Sequence, residues 1–112
     1  VLPEAGRLRA NVCVKEGKIV YLTSQTPSAG QEIDAGGLYV LPGIIDPHTH
    51  LGLFAPLEEE LVSETRSAIL GGVTTIGTFF NQKGSYLPLT DFLREKVPAL
   101  SRVDMFPHFT LR

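Results

Sequence analysis

Two short apolar-rich runs, residues 10–14 and 18–22, flank the polar turn Lys15-Glu16-Gly17, where glycine accepts the positive φ that a tight connection needs. The pattern predicts a β-hairpin. A polar stretch rich in Ser, Thr, Gly and Pro follows over residues 23–31, and Asp34-Ala35-Gly36-Gly37 turns the chain again. A boundary placed there gives units 1–37 and 38–112. From Leu38 the pattern changes: LYVLPGIIDPHTH is a nearly continuous apolar run that suits a strand buried on both faces, as parallel strands are. Leu57 to Leu70 carries apolar or small residues at 57, 61, 65, 68 and 69, one helical face, with Glu58, Glu59 and Glu60 as a solvated first turn that complements the helix dipole. Gly71 and Gly72 end that helix. Val73 to Phe80 is β-branched and aromatic and predicts a second strand. After a loop through Gly84, a second helix has Pro88 in its first turn, turns Leu89, Phe92, Leu93 and Val97 inward, and closes at Pro98. Residues 103–111 form a third strand, and Val1-Leu2 reads as the end of a strand whose start is missing.

Strand, helix, strand, helix, strand is the order of successive βαβ units, so the fold class is α/β and the last two thirds read as the start of a TIM-type (β/α)8 barrel. Two helices cover one side of strands that are apolar on both faces, so the chain is expected to associate as a homo-oligomer or with a partner, or to be part of a longer polypeptide.

Composition narrows the chemistry. With 43% hydrophobic residues, 20% charged residues and a net charge of -2 over 112 residues, the chain reads as a globular domain. No apolar run approaches the roughly 18 residues of a membrane span, and Pro3, Glu4 and Arg7 interrupt any secretion signal, so a cytoplasmic setting is expected. The charges are scattered without a Lys/Arg cluster, which argues against nucleic-acid and anionic-membrane surfaces and leaves a small molecule as the expected partner. A single cysteine, Cys13, makes no internal disulfide and reads as a strand residue.

His48 and His50 stand two apart on a predicted strand, so both imidazoles project from one face and can converge on one ion, zinc or a similar divalent metal. Asp46 shares that face and is placed to orient a ligating imidazole through its second nitrogen. The pair sits at the C-terminal end of a buried strand, where barrels of alternating strands and helices hold their active sites. His108, alone in an apolar stretch, reads as a core histidine. Ser63 and Thr65 lie inside a helix with no base nearby in sequence, so no nucleophile triad is supported.

LPGIIDPHTHLG resembles the Pro-Gly-x-x-Asp-x-His-x-His signature of the amidohydrolase superfamily, metal-dependent hydrolases on a distorted TIM barrel. VKEGKIVYL and IDAGGLYVLPG resemble the small β-sandwich domain that precedes that barrel, and ETRSAILGGVTTI resembles the helix and second strand of the cyclic amidohydrolases. The stretches from FFNQKGSYLPLTDFLREK to VDMFPHFTL are most similar to the hydantoinase and dihydropyrimidinase branch. The resemblance implies a binuclear metal site, in which His48 and His50 bind the more buried ion, and hydrolysis of a cyclic amide C–N bond. A modified lysine, two further histidines and a catalytic aspartate are implied on later strands, so the chain alone is expected to be inactive. The loop that carries Phe54 is implied at the edge of the substrate pocket, while an exposed or packing aromatic is the simpler account of Phe54 itself. Dihydroorotases place an arginine two positions after the second histidine, where this chain has Gly52, which implies a substrate other than dihydroorotate. The resemblance also leaves an allantoinase-like enzyme, an acyl-amino-acid-deacylase-like enzyme and a non-catalytic dihydropyrimidinase-like assembly protein as alternatives; retention of both histidines argues against the last.

Overall fold

The computed structural model describes residues 6–110; the strand end expected at Val1-Leu2, and Leu111 of the last expected strand, lie outside them. The chain divides into two compact units, Val1–Pro42 and Gly43–Arg112, a division five residues beyond the turn read from sequence.

In the first unit, β1 (Asn11–Lys15) and β2 (Lys18–Thr23) pair antiparallel with Lys15 opposite Lys18. Glu16 and Gly17 are therefore the two-residue connection, and both have positive φ, 52° and 72°. That is the turn chemistry whose twist matches the strands it joins. Cys13 faces Tyr21 while Val14 faces Ile19, which leaves Val20 as the extra residue of a bulge. Residues 38–43, expected inside a buried strand, form no strand with the described residues, and Leu38, Tyr39, Val40 and Leu41 are exposed. Among the described residues the parallel ladder starts at Ile44, two residues after Pro42, and the Ile44 N–H reaches the Gly72 carbonyl at 3.0 Å.

The second unit runs β3 (Ile44–Thr49), α1 (Leu57–Leu70), β4 (Val73–Phe80), α2 (Leu87–Leu100) and β5 (Asp104–Phe109), with the three strands parallel in the order β3-β4-β5. Leu51, Leu61, Ile76 and Val103 form the buried centre, and Leu57, Ala68, Phe92, Val97, Leu100 and Met105 pack around it. Both helices thus lie on the face that carries Ile76 and Met105, which are register partners. Alternation sends Gly77, Phe79, Phe106 and His108 to the opposite face. Gly43 is required where the unit begins, because a Cβ there would run into the Thr74 side chain.

The helices depart from expectation in three places. Ile69 is 40% exposed, at the border of the inward stripe. Pro98 does not close α2, which continues to Leu100. The ring removes only one donor near an exposed end, and the N–H of Ser101 still reaches the Val97 carbonyl at 3.0 Å. Glu60, expected in water, is buried. No helix among the described residues is long and apolar enough to cross a membrane.

Thr65 is fully buried yet satisfied: its hydroxyl donates to the Leu61 carbonyl at 2.5 Å and accepts the N–H of Arg102 at 3.0 Å. One side chain thereby ties α1 to the turn that enters β5. Thr65→Val keeps the shape and leaves the Arg102 N–H without its acceptor. A loss of about 1–3 kcal/mol is expected from urea denaturation, with Thr65→Ser losing less because the acceptor remains. Equal stability of the Val variant and the native chain would refute this account.

Candidate metal centre

β3 delivers His48, and His50 follows one residue after the strand ends at Thr49. Both side chains are exposed, with ring centroids 5.2 Å apart and planes at 70°. Phe79 of β4 stacks on His48 at 4.4 Å and 25°, and also on His108 of β5 at 4.3 Å and 17°. His108 is half-buried and faces its register partner Phe79, so it belongs to the same face as the His48 ring. The His50 Nδ1 lies 3.3 Å from the Phe79 carbonyl oxygen. A carbonyl can only accept, so Nδ1 carries the proton and the neutral ring keeps its lone pair on Nε2. A histidine held this way is set up to ligate through Nε2.

The strand pair beneath these rings is drawn close. Thr49 Oγ1 donates to the Gly77 carbonyl at 3.1 Å and meets Thr78 Oγ1 at 2.9 Å, with Thr78 fully buried. A Cβ on Gly77 would lie 2.6 Å from the Pro47 carbonyl oxygen and 2.7 Å from the Phe106 ring, a spacing only glycine permits. The ladder is irregular between Asp46 and Thr49, where Pro47 supplies no N–H. Across that gap Asp46 Oδ1 accepts the backbone N–H of His48 at 3.1 Å. The carboxylate thus acts on the His48 backbone, whereas the expected contact was to an imidazole nitrogen.

Among the described residues no group of three or more His, Cys, Asp or Glu side chains is placed to hold a metal ion. His48 and His50 fit two positions of a zinc site, which ordinarily has three or four protein ligands. Two exposed imidazoles, one with its tautomer set by a backbone carbonyl, are a suitable half of that donor set.

Glu60 is the residue that sequence reasoning misplaced. Its Oε2 accepts the Gly52 N–H at 2.5 Å, and its Oε1 accepts those of Phe54 at 3.1 Å and Ala55 at 2.8 Å. The loop leaving His50 is therefore wrapped around one carboxylate at the start of α1. The available signal was position: residue 60 lies three beyond Leu57 and beside Leu61, at the margin of the inward stripe. Phe54, in the same loop, is 97% exposed.

Over 45 residues, 40% of this chain and 11% of the relative, the sequence is 49% identical to the imidazolonepropionase of Kosmotoga olearia. It is 38% identical over 101 residues to the dihydroorotase of Geobacter metallireducens, spanning 87% of this chain and 23% of that protein. Against the D-hydantoinase of Geobacillus stearothermophilus identity is 40% over 74 residues, 62% of this chain and 16% of that protein. The chain belongs to the amidohydrolase superfamily, among the cyclic amidohydrolases. It spans between about a tenth and a quarter of the length of these relatives. No family model and no solved structure matches this cyclic-amidohydrolase chain.

The loop amides, that of Gly52 foremost, hold the Glu60 carboxyl below the ordinary carboxylate value, against the opposing effect of burial. A carboxyl with a lowered folded value stabilises at pH above its unfolded value and loses that contribution as pH falls through the lowered one. Amide-exchange protection of residues 52, 54 and 55 is expected to be full near neutrality and to fall as the pH drops below about 4.5, the ordinary value. Glu60→Gln should remove that pH dependence. Protection that stays constant into acid in the native chain would show that the carboxylate does not hold the loop.

Proposed function

We propose that the protein containing this chain is a metal-dependent hydrolase of cyclic amide C–N bonds and that His48 and His50 are two of its metal ligands. The observation that carries this reading is the paired imidazoles with centroids 5.2 Å apart, one of them fixed through Nδ1 on the Phe79 carbonyl with Nε2 free. A bound zinc or similar divalent ion would supply activation of water and polarisation of the amide carbonyl. This chain's own residues hold and orient: Asp46 fixes the backbone at His48, Phe79 fixes the rings, and Glu60 keeps the loop after His50 in one shape. In this reading the parallel sheet is the opening of a (β/α)8 barrel whose interior face carries the histidines. The β1–β2 hairpin belongs to the small β-sandwich domain before it. The site is binuclear, the enzyme cytoplasmic and homo-oligomeric.

For the substrate we favour a hydantoin or dihydropyrimidine ring. Gly52 stands two positions after His50 and offers no cation to a substrate carboxylate, and its N–H is already taken by Glu60. Relatives named dihydroorotase match a longer stretch of the chain than those named hydantoinase, so parallel assays on dihydroorotate, dihydrouracil and hydantoin decide between the two.

In the complete protein, His48→Ala and His50→Ala are each expected to abolish ring-opening hydrolysis and to lower bound metal measured by atomic emission. Undiminished metal content and turnover in both variants would sink the reading. The isolated chain with added zinc is expected to give no hydrolysis, because two histidines are only part of a zinc donor set. Light scattering of the same sample at micromolar concentration should report a species heavier than one chain. Chelator-sensitive turnover by a pure monomer would overturn both expectations.

A further inference from the structure

The stack of three rings on the open face of the sheet has more order than a metal pair requires. Phe79 meets both candidate ligands, and it does so with different groups: its ring lies on His48, and its backbone carbonyl accepts the hydrogen bond of His50 Nδ1. The ring is sandwiched, since His108 stacks on it at 4.3 Å as a register partner from the next strand. Phe106 in turn meets His108 edge-on at 5.2 Å, so the stack extends to a fourth ring. A half-buried aromatic ring held between two planes cannot turn without leaving both neighbours.

We infer that Phe79 is the positioning residue of the metal pair, with His108 as the backing that keeps its ring pressed against His48. The inference rests on the reading of His48 and His50 as ligands. Its physical content is that among the described residues the His48 ring has no hydrogen bond to fix its rotation about χ2, whereas a planar neighbour at 4.4 Å and 25° does fix it. His50 needs no such neighbour, because a backbone carbonyl orients it whatever side chain residue 79 carries. Substitution at 79 therefore loosens one ligand and leaves the other in place, which separates this role from a general effect on folding. Outer partners that orient a ligating imidazole typically govern metal affinity by about 10–100-fold.

The test uses the complete protein stripped of metal and titrated with cobalt(II), reading the d–d absorbance band. Phe79→Leu, which fills space without a planar face, is expected to weaken cobalt binding roughly tenfold and to broaden the band, in a metal-free protein that remains folded by circular dichroism. Phe79→Tyr keeps the face and should restore both affinity and band shape. His108→Leu removes the backing from the far side and should weaken binding in the same direction by a smaller factor; it decides the matter if the Leu variant at 79 does not fold. Leu and Tyr variants with the same affinity, or a His108→Leu protein indistinguishable from the native one, would overturn the inference while leaving the metal reading intact. A native protein that binds no cobalt would remove the metal reading and this inference with it.

Discussion

The close approach of β3 and β4 is the constraint on which the rest depends. Gly77 leaves room for the Pro47 carbonyl and the Phe106 ring where any Cβ would intrude. Only at that spacing can Thr49 reach both the Gly77 carbonyl and the Thr78 hydroxyl. Those bonds take the residue between the two histidines and fasten it to the neighbouring strand. With Thr49 fixed, His48 and His50 fall on either side of it, beside Phe79. A glycine and two threonines, none of them able to ligate a metal strongly, thus determine where the imidazoles stand.

Periodicity made the elements of the second unit legible, because each lies between unambiguous punctuation. α1 and β4 occupy the stretches read from the pattern, bounded by Pro56 and by Gly71-Gly72. The hairpin was legible for the same reason, since a Gly after a polar pair admits few turns. The long apolar run from Leu38 misled, because hydrophobicity reports a preference for burial and carries no information on hydrogen bonding. Among the described residues the stretch from Leu38 to Gly43 forms no strand. Pro98 misled in the opposite sense: a proline near a helix end costs little when the lost donor served an exposed carbonyl.

The candidate site was legible in its paired histidines and opaque in the residues that support them. His48 and His50 announce themselves by chemistry and spacing. Phe79 and Glu60 act through a ring face and through backbone groups, and nothing in a residue's identity states which amides will come to it. Asp46 is the intermediate case: its carboxylate holds a backbone N–H where an imidazole contact had been expected. His108 looked like an isolated core residue because the strand that brings it beside Phe79 is distant in sequence.

The attachment of the post-His50 loop to Glu60 uses main-chain N–H groups at residues 52, 54 and 55. Gly52, at φ 79°, is confined to glycine, but the side chains of Leu53 and Phe54 take no part in the anchor and stand in solvent. Shape and identity are thereby decoupled at this spot. The loop can exchange the two side chains it displays next to the histidines while its backbone trace stays the same. A lineage carrying this loop has a surface beside its paired histidines on which new side chains can be tried without disturbing the loop's scaffold.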